Sequence, residues 1–107
     1  MDSFKEKKIK LPQTNFTGTV HLSMAIEAEE DYNTVMGTVF FEPKARTNWH
    51  THTSGQVLIV TKGVGYYQEK GKPVQFIHEG DIVKIPKDVE HWHGASHNSE
   101  MNHIAIV

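Results

Sequence analysis

The chain has 107 residues, 37% of them hydrophobic and 22% charged, with a formal net charge of −2. That balance predicts one soluble globular domain with a single modest core. With no Lys/Arg cluster it excludes an electrostatic footprint for nucleic acid or anionic membrane, and no apolar run approaches the length of a membrane span. There is no cysteine, hence no disulfide, thiolate zinc site or cysteine nucleophile.

The charged N-terminal segment from Met1 to Lys8 lacks the apolar region of a secretory signal, so the expected compartment is the cytoplasm. Its lysines Lys5, Lys7 and Lys8 read as solvated, at a frayed or partner-dependent end. Ile9 to Leu11 suits a short strand stopped by Pro12. From Phe16 to Ile26 the chain alternates, with Val20, Leu22, Met24 and Ile26 on one face and His21, Ser23, Ala25 and Glu27 on the other. This predicts a half-buried antiparallel strand with His21 exposed. Glu27 to Asp31 reads as a solvated acidic loop, and Thr34 to Phe41 as the next strand, ended before Pro43 because proline cannot donate to a ladder.

Beyond Gly63, strands are expected at Val64 to Glu69 and Val74 to His78, joined by the turn Lys70-Gly71-Lys72-Pro73. Ile82 to Ile85, Val89 to His97 and Met101 to Val107 come next, separated by Glu79-Gly80-Asp81 and Pro86-Lys87-Asp88. No stretch carries a helical period of useful length. Short strands at regular spacing with Gly and Pro between them predict an all-β barrel or sandwich.

Chemistry concentrates in Trp49 to Gly63, which opens on His50-Thr51-His52 and runs into the apolar, β-branched Val57 to Val60. On an extended chain His50 and His52 share one face, and Gln56 joins them if the parity persists through Gly55. Neutral imidazoles are common metal ligands. Eight histidines placed at random give roughly 0.6 His-x-His pairs per chain, so the two pairs here, His50/His52 and His91/His93, carry weight only through their setting. That setting is His50-x-His52-x3-Gln56-x6-Gly63 followed by Gly80-x5-Pro86-x4-His91.

The two-part pattern resembles the cupin superfamily, from about Phe16 onward. The resemblance implies a small double-stranded β-helix, the cupin or jelly-roll barrel, over residues 16–107, with residues 1–15 as an N-terminal arm available for exchange at a dimer interface. It implies one divalent transition metal per chain, held by His50, His52, Gln56 and His91. Two departures stand out: Gln56 replaces the usual Glu, and Asp88 replaces a usual Gly, the latter expected to alter only a turn. Phe16-Thr17-Gly18-Thr19-Val20, Ala45-Arg46-Thr47, Gly55-Gln56 and His91-Trp92-His93-Gly94-Ala95 are further similar to the small cupins associated with carboxymuconolactone decarboxylases. That group includes manganese-dependent hydroxynitrile lyases.

The likeness implies a lyase acting on a small hydroxynitrile or related carbonyl adduct. Manganese is the first choice of ion, with iron, zinc, nickel or cobalt as alternatives. Loss of the Glu charge would leave the ion a stronger Lewis acid and less firmly retained. His103 is the implied base, with His93 in the same cavity and Thr47 on the substrate oxygen. A metal-dependent dioxygenase and a non-catalytic metal or small-ligand binding module remain alternatives. Trp49 and Trp92, of opposite parity to the ligands, are expected to pack behind the site, and Val39, Phe41, Leu58 and Val60 to line the barrel, where core packing accounts for them as well as substrate contact does. The expected partners are a small-molecule substrate and a second copy of the chain in a homodimer, with no nucleic acid and no membrane.

Overall fold

The structure, a computed structural model, describes residues 8–27 and 31–107. Lys5 and Lys7 of the expected solvated end, and 28–30 of the acidic loop, lie outside the described residues. The expectation of an all-β chain holds: ten strands and no helix occur among the described residues, so no helix there is long and apolar enough to cross a membrane. They are β1 (Ile9–Lys10), β2 (Phe16–Thr17), β3 (Val20–Ile26), β4 (Met36–Phe41), β5 (Arg46–Thr47), β6 (Gln56–Glu69), β7 (Gln75–His78), β8 (Ile82–Ile85), β9 (His91–Ala95) and β10 (Met101–Ile106).

The strands form one curled antiparallel sheet with two walls. The first wall runs β1-β3-β4-β10-β6, with β8 on the other side of β6; the second runs from β6 through β9 and β5 to β2, with β7 also on β6. Where the sequence suggested two strands divided at Gly63, there is one strand of 14 residues that serves both walls. Its first half pairs with β10 and β8, its second with β7 and β9. The change of wall is made at Gly63, whose φ of 82° suits glycine. A Cβ there would collide with the carbonyl of Glu100.

The core lies between the walls, around Val20, Phe41, Leu58, Val60, Tyr67, Ile77 and Met101. Alternation along Gln56–Val60 puts Leu58 and Val60 inside, as the period of two requires. The expected faces of β3 are less clean. Ser23, assigned to the solvent side, is fully buried, while Leu22, Met24 and Ile26 are half-buried and His21 is half-buried rather than exposed. Beyond Ser23, a bulge between Met24 and Ile26 breaks the phase of the strand. The β6–β7 hairpin turns at Glu69–Lys72, where the Lys72 N–H donates to the Glu69 carbonyl at 3.0 Å. Asp88 sits at φ 63°, a conformation a glycine would adopt freely, in keeping with the expectation that the departure at this position alters only a turn.

Gly63→Ala introduces both the backbone clash and an unfavourable φ. It is expected to destabilise the fold by about 2 kcal/mol or more, measured as a lowered urea midpoint at unchanged slope.

Candidate metal centre

The two sequence motifs meet through the backbone. The His50 N–H donates to the His91 carbonyl at 2.9 Å and the His91 N–H to the His50 carbonyl at 3.0 Å, an isolated bridge between His50, outside the named strands, and the first residue of β9. Side chains of directly opposed residues point to the same side, so the two imidazoles face each other with ring centroids 4.2 Å apart. His52 follows His50 on the same side, 5.0 Å from it and 5.7 Å from His91 between centroids. Gln56 reaches the cavity by another route than extended parity. Residues Thr53 and Ser54 form a turn, Gly55 takes φ 80°, and β6 then begins with the Gln56 side chain directed inward.

The resulting cavity has a volume of about 470 Å³. His50, His52, Gln56, His93 and His103 line it, with Thr47 and the apolar Phe16, Val39, Phe41 and Ala105. Leu58 and Val60, for which the sequence leaves core packing and substrate contact equally open, are packed into the core. Trp49, expected behind the site, lines the cavity and is 45% exposed; it follows Asn48 in a non-strand segment, where strand parity does not govern side-chain direction. Trp92 is where parity put it, on the outer face of β9, with Arg46 5.3 Å over its ring. Asn15 and Phe16 were not singled out as site residues, and no local sequence signal marks them. They reach the cavity because Phe16 pairs with Thr47 and because the Asn48 N–H donates to the Asn15 carbonyl at 3.0 Å.

Hydrogen bonds decide which imidazole atoms are available. The His50 Nδ1 lies 2.7 Å from the Asn48 carbonyl and the His91 Nδ1 2.9 Å from the Val89 carbonyl. A carbonyl only accepts, so each Nδ1 carries the proton and each Nε2 keeps a bare lone pair. Nε2 of His52, Nε2 of His91 and Oε1 of Gln56 are buried without a partner. Such atoms cost about 1–3 kcal/mol each when left unsatisfied, and a divalent cation satisfies this donor set. The residues present therefore fit a metal ion. The tightest group takes in His93: donor atoms of His50, His91 and His93 lie within 4.8 Å of one another.

His93 and His103 form a second, wholly buried pair. The His103 Nε2 is 3.1 Å from the His93 Nδ1, while His93 Nε2 and His103 Nδ1 have no partner. Thr47 joins this group from β5, its Oγ1 accepting from the His93 N–H at 3.2 Å. Phe41 packs on both rings at 5.9 and 5.3 Å. Burial pushes His103 down to about 4 and holds His93 well below the usual imidazole range, with the proximity of His103 adding to the effect. Burial likewise lowers His91, and burial followed by the neighbouring His50 lowers His52. All four imidazoles are thus neutral near pH 7, the form in which a histidine ligates metal or accepts a proton.

Against this geometry the family model for the cupin domain matches residues 37–107. The chain is a cupin. Over 97 residues it is 45% identical to an (R)-mandelonitrile lyase from Granulicella tundricola, covering 91% of this chain and 74% of that protein. Among solved structures, a cupin-like protein from Thermotoga maritima is 47% identical with a TM-score of 0.92, covering 98% of this cupin and 80% of that chain. A predicted oxalate decarboxylase from the same organism superposes with a TM-score of 0.84 at 16% identity, over 94% and 90% of the two chains. At that identity the likeness concerns the fold alone. This cupin is therefore a small barrel similar to a hydroxynitrile lyase, with a three-histidine group able to bind metal.

The depressed histidines make stability depend on pH. An unfolded His103 takes up its proton near 6.5 and the folded one only near 4. The unfolded state therefore binds more protons between those values, and stability falls as pH is lowered through them. The metal-free protein should lose stability steadily across this window, and His103→Gln should flatten the fall, as read from urea midpoints against pH.

Proposed function

We propose that this cupin is a metal-dependent lyase that cleaves a small hydroxynitrile, or a related carbonyl adduct, reversibly. The observation that carries the reading is the set of unpartnered donors, Nε2 of His52 and His91 and Oε1 of Gln56, gathered beside His50 at a cavity with apolar walls. The similarity to an (R)-mandelonitrile lyase supports the choice of chemistry. His50, His52, Gln56 and His91 would hold one divalent ion per chain, manganese first and iron, zinc, nickel or cobalt as alternatives. Bound there, the ion would supply a Lewis acid undiminished by any carboxylate ligand.

The chain's own residues do the rest. Val39, Phe41, Phe16 and Ala105 receive the apolar part of the substrate and exclude water. Thr47 Oγ1 lies on the wall of His93, which meets His103 of the other wall, and hydrogen-bonds the substrate oxygen. The neutral His103 takes the hydroxyl proton. As the carbonyl forms, the bond to the nitrile carbon breaks and its electron pair leaves as cyanide, which regains the proton from His103 as hydrogen cyanide. Because burial opposes the cationic form of His103, the proton is held only briefly and is readily given back.

Untagged protein should contain near-stoichiometric divalent metal by elemental analysis and release aldehyde from an aromatic hydroxynitrile. His52→Ala should lose the metal. His103→Gln should keep the metal and lose turnover by about a hundredfold or more. Metal-loaded protein that leaves hydroxynitriles intact but consumes dioxygen would replace the lyase with the dioxygenase reading. Ligand binding without any turnover would make it a binding module.

We further infer a cytoplasmic homodimer. Ile59 stands between Ile82 and Ile104 across three strands of the first wall, on the side opposite the buried Leu58 and Val60, and Ile82 is 62% exposed. An apolar row of this kind suits burial against a second copy. Sedimentation should give the mass of two chains, and Ile82→Asp should give the mass of one.

A further inference from the structure

The outer face of the second wall carries a recess that the metal centre does not use. It has a volume of about 310 Å³ and is lined by Thr17, Lys44, Arg46, Tyr66, Trp92 and His97, with Ala95. Its walls combine flat aromatic surface with cationic groups. The Tyr66 and Trp92 rings stand 6.3 Å apart between centroids. The Tyr66 hydroxyl lies 3.1 Å from the His97 Nδ1, and the Trp92 indole N–H donates to Gln68 Oε1 at 2.8 Å, so both rings are fixed by a polar tether. Tyr66 and Arg46 face each other across Gly94, which sits between them in register and contributes no side chain.

Two observations bear on what the cations of the recess do. Among the described residues neither Lys44 nor Arg46 makes a salt bridge; Arg46 lies over the Trp92 ring at 5.3 Å, while Lys44 is exposed and lines the recess. The second is the backbone at Lys44. The Ala45 N–H donates to the Glu42 carbonyl at 2.9 Å, closing a turn with Pro43 at its second position and Lys44, at φ 74°, at its third. That third position is the one glycine or asparagine ordinarily fills. A lysine there strains the backbone, and such strain concentrates where a side chain is needed for function.

We propose that this recess is an accessory binding site for a small aromatic carboxylate. Lys44 and Arg46 take the carboxylate through charge-assisted hydrogen bonds, and the ring lies against Tyr66 and Trp92. The site backs onto the metal cavity, since Trp92 lies between His91 and His93 on β9 and Arg46 precedes Thr47 on β5. It does not depend on the metal or on the lyase reading.

The test is a two-dimensional NMR titration of the full chain with sodium benzoate, following the Trp92 indole and the Gly94 and Tyr66 amides. Saturable shifts at these groups are expected, with cyclohexanecarboxylate and inorganic phosphate binding more weakly. Lys44→Gly places the preferred residue at the strained position, so its melting temperature should stay level or rise. Its benzoate dissociation constant should nevertheless weaken about tenfold or more, and Arg46→Gln should act in the same direction. The proposal is overturned if these groups do not shift, if phosphate or cyclohexanecarboxylate binds as tightly as benzoate, or if Lys44→Gly binds benzoate unchanged. Shifts confined to Val39 and Ala105 would mean that benzoate enters the metal cavity instead, and would equally overturn it.

Discussion

Both walls of the barrel hydrogen-bond to β6, and several of the chemistry-bearing residues are placed by it. Gln56 is its first residue. His103 sits opposite Val60 on β10, and His93 opposite Tyr67 on β9. A strand shared by two walls must bend, and Gly63 provides the bend where a side chain would strike the carbonyl of Glu100. His103, His93 and His91 therefore converge because each is registered against β6, and His50 joins them through its bridge to His91.

Convergence brings an energetic tension. Buried imidazole nitrogens without partners are unfavourable, and this cavity gathers several. Burial relieves part of the tension by keeping the rings neutral, since a buried imidazolium would be worse. Neutrality is also the condition for ligating a metal and for accepting a proton. The same desolvation that makes unpartnered imidazoles costly thus prepares the cavity chemically. Backbone carbonyls of Asn48 and Val89 complete the preparation by fixing the tautomers of His50 and His91, as partners of metal-binding histidines do.

The two sides of the second wall differ in character. Its inner side presents buried neutral imidazoles and apolar surface. Its outer side presents aromatic rings with the exposed cations Lys44 and Arg46, the latter over Trp92. β9 contributes to both, because alternate side chains on one strand face opposite ways. His91 and His93 point in and Trp92 points out, so a ligand on either side touches the same short strand.

Much of this was legible in the residues themselves. His50 and His52 share a face by the period of a strand, Gly80 marks a turn and Gly63 a change of direction by their conformational freedom, and the spacing of the two motifs carries the resemblance to cupins. These are local rules, and they act wherever the chain lies. Other features needed the third dimension. Gln56 enters the cavity through a turn rather than by parity, Trp49 lines the mouth of the cavity, and Ser23 is buried on a face that reads as polar. The contact of His93 with His103, the direct opposition of His50 and His91, and the meeting of Lys44, Arg46 and Tyr66 all depend on which strands pair and in what register. Register is set by packing the whole core and by bulges and bends such as those at Met24 and Gly63. Those are properties of the closed barrel, and no local stretch of sequence contains them.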